Sequence, residues 1–330
     1  MDRRKYAYMM YRFPEFWMKK DGLLTLILAP LGWMWATFGI CRTALTLPFN
    51  ATIPIICIGN VMLGGTGKTP IALSIANKLY GVHFLSRGYG GSKHGPILVD
   101  PKRHDYSLVG DEPLILTSIA PCWVSKNRID GAKCAVEKGA TCLILDDGFQ
   151  NSSLKKDVSF LVVDGHVGFG NFRCIPAGPL REPVSLALAR ANAVIILGED
   201  RNSIADLIID KPVLRAKLEP EDEAKILINK TVVAFAGIGR PKKFFQTLET
   251  LGAKIAKTFN FPDHHPYKIS EIDKLIDFAK IHDAILVTTT KDIVRIPFHQ
   301  RDVISVLRVK VIWEDEVTLM KILHPVLSML

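Results

Sequence analysis

The sequence predicts an α/β protein with a mostly parallel sheet, a second, smaller α/β domain after it, and an N-terminal apolar segment before it. Three observations carry this expectation. A β-branched run, Ile53 to Ile58, leads into a glycine-rich turn, Gly64 to Thr69, and then into Ile71, Ile75, Ala76 and Leu79 at helical spacing. Short apolar runs with polar ends recur further along, separated by helical patterns, as in an α/β sheet. Leu23 to Cys41 passes nineteen residues without a charge.

Residues 1 to 45 are expected to form a membrane-associating helical segment. Arg3, Arg4, Lys5, Arg12, Lys19 and Lys20 lie among aromatics ahead of the uncharged run, whose length suffices to cross a bilayer. The positive-inside rule, however, would keep this basic end in the cytoplasm and put the glycine-rich turn on the far side, where there is no ATP. Pro30 and Gly32 are also expected to interrupt the run. An interfacial or re-entrant segment fits better, with Trp17, Trp33 and Trp35 at headgroup level and the basic residues on anionic lipid. A buried helix hairpin is the plainer alternative, and removal as a signal peptide is not expected, since it would imply export.

Residues 46 to 218 are expected to form a core of the P-loop NTPase type. Gly64, Gly65, Thr66, Gly67, Lys68 and Thr69 stand between a strand and a helix. There, backbone N–H groups can close around phosphate oxygens and the helix presents its positive end. Lys68 can reach the β- and γ-phosphates, and the Thr69 hydroxyl can ligate Mg2+. Pro70 falls in the first helical turn, where its missing N–H costs little. Met62 occupies the place of the first glycine of G-x-x-x-x-G-K-[ST], so the reading rests on context as well as pattern. The bland alternative is a βα turn with an incidental lysine. ATP and Mg2+ are the expected cofactors.

The segments VHFLSRGYGG, PILVD, CWVSKNR, TCLILDDGFQ, SFLVVDGH and AVIILGED read as further strands, and their polar ends would gather where α/β sheets bind ligands. Glu219, Glu221, Asp222 and Glu223 around Pro220 mark a break, and residues 219 to 330 are expected to form the second domain. It would comprise TVVAFAGIGRP, a helix near Lys242 to Leu251, IAKTFNFPDHHP, a helix near Ser270 to Lys280, AILVTTTKD, and the alternating run VISVLRVKVIWE.

Composition narrows the function classes. The six cysteines sit mostly in or beside apolar runs without C-x-x-C spacing, as expected of reduced core residues of a cytoplasmic protein and not of a disulfide framework or a zinc site. Forty-two Lys and Arg against thirty-three Asp and Glu suit an anionic partner, whether nucleotide, phospholipid or nucleic acid.

Asp146 and Asp147 end an apolar run, where the second P-loop carboxylate that holds Mg2+ is expected. Asp111 and Glu112 offer adjacent acids in a loop; one can take the proton of an acceptor alcohol, or both can be a solvated turn. His264 and His265 can orient such a base, though paired loop histidines are more often polar surface. Arg87, Arg128 and Arg181 lie in strand-end loops and can clamp phosphate.

The segments GNVMLGGTGKTP, SRGYGG, VGDEP, the arginine of SKNRIDGA, LILDDGFQ, GPLREP, FPDHH and TTKDIV run in order from about residue 59 to 294. Together they resemble one family, the tetraacyldisaccharide 4'-kinases of lipid A synthesis. The resemblance implies transfer of the ATP γ-phosphate to the 4'-hydroxyl of an acylated disaccharide 1-phosphate lipid, on the cytoplasmic face of the bacterial inner membrane. It implies Lys68 and Arg128 in catalysis, Asp111 as base with His264 beside it, and Thr69, Asp146 and Asp147 at the metal. Arg87, Arg181, Glu182 and Asn151 are then expected at the substrate. Asn151 stands where the family usually has histidine, and an amide carries neither proton nor charge at neutral pH. Lys291 is left without a role. A monomer, peripheral or monotopic at the membrane and without a nucleic-acid partner, is expected. The rival reading is a membrane-partitioning P-loop ATPase switch, whose signature lysine position is held here by Leu63. A soluble metabolite kinase would leave Leu23 to Cys41 unexplained.

Overall fold

The computed structural model describes residues 14–19 and 22–329. The basic residues Arg3, Arg4, Lys5, Arg12 and Lys20 lie outside them. The chain forms two compact units, Phe13–Glu219 with Lys310–Leu330, and Pro220–Val309.

The first unit holds β1 (Ile55–Gly59), β2 (Val82–Ser86), β3 (Ile97–Leu98), β4 (Cys122–Val124), β5 (Cys142–Asp146), β6 (Val158–Asp164), β7 (Ala193–Leu197) and β8 (Val213–Pro220). Strand β1 starts later than its apolar run because Pro54 has no N–H to give the ladder, although its carbonyl accepts from Leu143 N–H at 3.0 Å. Strands β1, β2, β4, β5, β6 and β7 are buried at every residue, as befits a parallel sheet covered on both faces. Ile56, Ile58, Ile144 and Phe160 meet Ile71 and Ile75 of the helix Lys68–Ala76 on one face. Cys57, Leu143 and Leu161 meet Ala132 and Ala135 of the helix Arg128–Glu137 on the other.

In the second unit β9 (Thr231–Ala236), β10 (Lys254–Asn260), β11 (Ile285–Thr289) and β12 (Ser305–Leu307) form a parallel sheet in the order β10-β9-β11-β12. Phe244, Phe245 and Leu248 of the helix Pro241–Leu251 cover one face. Ile272, Leu275 and Ala279 of the helix Ile269–Ile281 cover the other.

The tail corrects one expectation. The run VISVLRVKVIWE is not one strand: it divides at Arg308 into β12 and β13 (Val309–Trp313), and β13 joins the first unit's sheet beside β8. That sheet reads β13-β8-β7-β6-β1-β5-β2-β4-β3, with β3 antiparallel to β4. The helix Glu316–Leu327 then buries Leu319, Leu323 and Val326 against the Ile56 face, each burial worth about 1.5–3 kcal/mol. Residues 310 onward, expected with the second domain, therefore return to the first because its sheet face is what their apolar stripe covers.

The apolar segment is a single helix, Leu23–Ala44, so Pro30 and Gly32 do not interrupt it. Gly32 is needed for contact instead, since a Cβ there would lie 2.8 Å from the Cys174 carbonyl oxygen. Only Thr25, Ala29 and Gly32 are buried along its length, while Leu23, Leu24, Leu26, Ile27, Leu31, Trp33, Met34 and Phe38 are exposed. A buried hairpin is thereby excluded. By length and composition the helix suffices to cross a membrane.

Candidate active site

Strand order places the site. After β1 the chain builds β2 to β5 on one side and then crosses to build β6, β7 and β8 on the other, so the loop leaving β1 lies at a switch point where α/β sheets bind ligands. Register brings Ile58 of β1 opposite Asp146, the last residue of β5.

The loop after β1 is tied down before it reaches its glycines. Met62 bridges Leu180, Leu63 N–H donates to the Pro179 carbonyl at 2.9 Å, and Arg181 N–H donates to the Val61 carbonyl at 2.6 Å. Met62 has no positive φ, which explains why this position does without glycine. Gly67 has φ +83°, and a Cβ there would overlap Leu197 Cδ2. The helix Lys68–Ala76 that follows has no side-chain cap, leaving first-turn N–H groups facing the loop. Thr66 and Thr69 are buried. The Thr66 hydroxyl oxygen and Asn60 Oδ1 have no hydrogen-bond partner among the described residues.

Asp147 is the hub. It follows β5 with φ +54°, and its N–H donates to the Ile58 carbonyl at 2.9 Å. Arg181 Nη1 donates to both its carboxylate oxygens at 3.0 Å, and Lys68 Nζ stands 3.5 Å from Oδ1. Burial alone would raise the Asp147 carboxyl; Lys68 and then Arg181 outweigh it and hold the group below the ordinary carboxylate range. Gln150 binds the cluster together. Its Oε1 accepts from Arg181 Nη1 at 3.2 Å, and its Nε2 donates to the Asn60 carbonyl at 2.7 Å and to Glu182 Oε1 at 3.0 Å. Glu182 also takes Arg190 Nη2 at 2.6 Å, and the Arg190 guanidinium lies over the Phe149 ring.

Behind this cluster, Asp146 and Arg128 are both buried. Arg128 opens its helix under Asn127, whose Oδ1 caps Ile129 N–H at 3.1 Å. Burial pulls the guanidinium's pKa down, Asp146 opposes that most strongly, and Arg87 acts in the same direction as burial. Arg87 itself is exposed after β2. Asn151 Oδ1 accepts from Ser153 N–H and Oγ at 3.2 and 2.9 Å, so the amide closes a local turn.

Asp111 is neither in a loop nor solvated. It is the first residue of the helix Asp111–Leu116 and is buried, and Gly110 before it has φ +89° against the Tyr89 carbonyl. In the second unit the two histidines part company. His264, φ +57°, is exposed in the loop after β10, and its N–H donates to Asp263 Oδ1 and to the Gly237 carbonyl, both at 3.1 Å. His265 is structural: its ring stacks on Phe261, and Nε2 lies 3.0 Å from Glu271 Oε2. Lys291 lies in the short helix Thr290–Ile293, beside fully buried Asp292, which accepts from Gly237 N–H and Tyr267 Oη at 2.8 Å each.

All six cysteines are free. Burial pushes the thiols of Cys57 and Cys174 up to about 11, so neither supplies a nucleophile to this site.

The family model for tetraacyldisaccharide-1-P 4'-kinase matches residues 24–328. The chain belongs to that family. A tetraacyldisaccharide 4'-kinase of Rhodospirillum centenum is 48% identical over 325 residues, covering 96% of each chain. One of Rhodospirillum rubrum is 48% identical, covering 92% of this chain and 94% of that one. The crystal structure of LpxK from Aquifex aeolicus in complex with ATP superposes with a TM-score of 0.78 at 28% identity, covering 92% of this chain and 99% of the other. The chain is thus an ATP-binding kinase of the α/β class, and the switch reading is set aside.

Sequence reasoning missed Gln150, Arg190 and Phe149 as parts of this cluster. The one available signal was that the LILDDGFQ run continues past its acids with a glutamine, whose two-sided amide can join a cation to a carbonyl.

Proposed function

We propose that this kinase moves the ATP γ-phosphate to the 4'-hydroxyl of tetraacyldisaccharide 1-phosphate in lipid A synthesis. It works as a peripheral monomer on the cytoplasmic face of the bacterial inner membrane. The observation that carries this reading is the Lys68–Asp147–Arg181 cluster beside an uncapped P-loop helix, in a chain of this family. The exposed apolar helix Leu23–Ala44 suits an acceptor whose acyl chains stay in the membrane.

The residues fit nucleotide and metal. The buried, unpartnered Thr66 hydroxyl oxygen and the positive N-terminal end of a helix without a side-chain cap are what a phosphate would satisfy. Thr69, Asp146 and Asp147 would hold Mg2+. All three offer oxygen donors, the ligand type that Mg2+ takes. Bound there, Mg2+ supplies neutralisation of phosphate charge.

Lys68 neutralises charge on the transferred group, while Arg128 and Arg87 hold the nucleotide's and acceptor's phosphates from the β4 and β2 side. Arg181 and Glu182 line the acceptor. Asn151 donates at most a hydrogen bond there through its Nδ2. Asp111 accepts the 4'-hydroxyl proton, and His264 orients it.

The test is transfer of γ-labelled phosphate to tetraacyldisaccharide 1-phosphate in mixed micelles. ATP consumption that depends on the acceptor supports the reading; consumption indifferent to it removes the reading.

A further inference from the structure

The apolar helix Leu23–Ala44 touches the rest of its unit along one stripe: Thr25, Ala29 and Gly32 are buried and Ala36 partly so, all on one face, and the exposed side chains of Trp35 and Arg42 reach across at its edge. Apolar contact would suffice to seat such a helix. Two contacts on this stripe are instead hydrogen bonds to backbone carbonyls: Trp35 Nε1 donates to Arg181 O at 2.9 Å, and Arg42 Nη2 donates to Gln150 O at 3.2 Å. Arg181 and Gln150 are the residues whose side chains meet at Asp147.

The Arg181 peptide is held from both sides, by the Val61 carbonyl at its N–H and by the Trp35 indole at its own carbonyl. Gly32 brings the helix close enough for this, against the Cys174 carbonyl and 3.5 Å from Ala177 Cβ for an added methyl. One guanidinium nitrogen centred between both carboxylate oxygens tolerates little displacement, and reacting geometry is sensitive to shifts of about 1 Å.

We propose that Trp35 is a positioning residue for Arg181, with Arg42 doing the same for Gln150, so that seating of the apolar helix sets the geometry around Asp147. The helix then has a second task besides holding protein to membrane. This rests on the reading that Arg181 works in the active site.

Trp35→Phe keeps an apolar ring and removes only the donor. Turnover at saturating ATP and tetraacyldisaccharide 1-phosphate in mixed micelles should fall about threefold to tenfold, the span of one lost hydrogen bond. Sedimentation with phosphatidylethanolamine–phosphatidylglycerol vesicles should stay unchanged, and so should KM for ATP. In an Arg181→Ala background the same substitution should cost nothing further, because it acts through that side chain. Wild-type turnover of Trp35→Phe, a loss that tracks vesicle binding, or an equal further loss without Arg181 each overturns the proposal. Should Trp35→Phe lower Tm, Arg42→Gln puts the same question at the second contact. Near wild-type turnover of Arg181→Ala alone would overturn the site reading as well, whereas an inactive Arg181→Ala beside a fully active Trp35→Phe would sink only this inference.

Discussion

Gly67→Ala perturbs the loop at the place where backbone and packing both demand glycine. With φ at +83°, an alanine carries the left-handed penalty of about 1–2 kcal/mol. Its methyl also overlaps Leu197 Cδ2, and Leu197 is buried at the end of β7 with no solvent to move into, so overpacking adds about 1–3 kcal/mol. The sum, about 2–5 kcal/mol, corresponds to a Tm lower by roughly 4–20 °C for a unit of this size. Thermal unfolding in detergent would read that drop, and titration with ATP should show weakened binding, because Gly67 aims the first turn of the helix Lys68–Ala76. Combining the change with Leu197→Ala separates the two causes: the double variant should be more stable than the summed single losses by about 1–3 kcal/mol, the overlap having been relieved. Strict additivity, or a Gly67→Ala protein that melts and binds ATP like the wild type, would refute the account of this loop.

Lys68→Ala should lose at least about a hundredfold in phosphoryl transfer while the protein stays folded, its melting temperature lowered only by the Lys68 share of the Asp147 ion pairs, a split that turnover and thermal unfolding report together. Asp147 has a depressed folded-state pKa, so its contribution to stability is complete above the ordinary value of 3.8 and is lost as pH falls through the folded value. The Tm gap between wild type and Asp147→Asn should therefore be full at pH 7 and shrink below pH 4; a gap independent of pH would remove the ion pairs from the explanation. Deletion of residues 1–45 should release the protein from anionic vesicles, and high salt should release the intact protein only in part, since apolar burial persists. Asp111→Ala and His264→Ala should each lower turnover with KM for ATP nearly constant, and the double variant should be scarcely worse than the poorer single one. Rate losses that multiply would end the proposed pairing.

What the sequence reveals of this molecule is mostly what lies close together along it. The strand, loop and helix around Lys68 are legible because β-branched residues, glycines and a 3.6-residue repeat follow one another within thirty residues. Asp146 and Asp147 are legible as a strand end, although the pairing of β5 with β1 that sets them beside Lys68 is not. Strand β8 is hard to read in the sequence because Arg215, Lys217 and Glu219 alternate with its apolar residues and only Leu214 and Ala216 are buried. The division of 303–313 between two sheets was hidden by an unbroken alternating pattern; only the sheet face that receives Leu319 and Leu323 decides it. The sequence leaves a solvated turn open for Asp111 because the burial that encloses it comes from distant chain, with Gly110 turning against Tyr89. His264 and His265 are indistinguishable as letters, and Phe261 and Glu271 assign the second to the scaffold.

The central claim is a phosphoester made at one hydroxyl of one lipid. Phosphorus–proton correlation NMR of the product formed from ATP and tetraacyldisaccharide 1-phosphate tests it most directly. The account predicts a second phosphate coupled to the 4' proton, absent when Lys68→Ala replaces the wild type. A phosphate coupled to any other position, or a product unchanged while ATP is consumed, would contradict it.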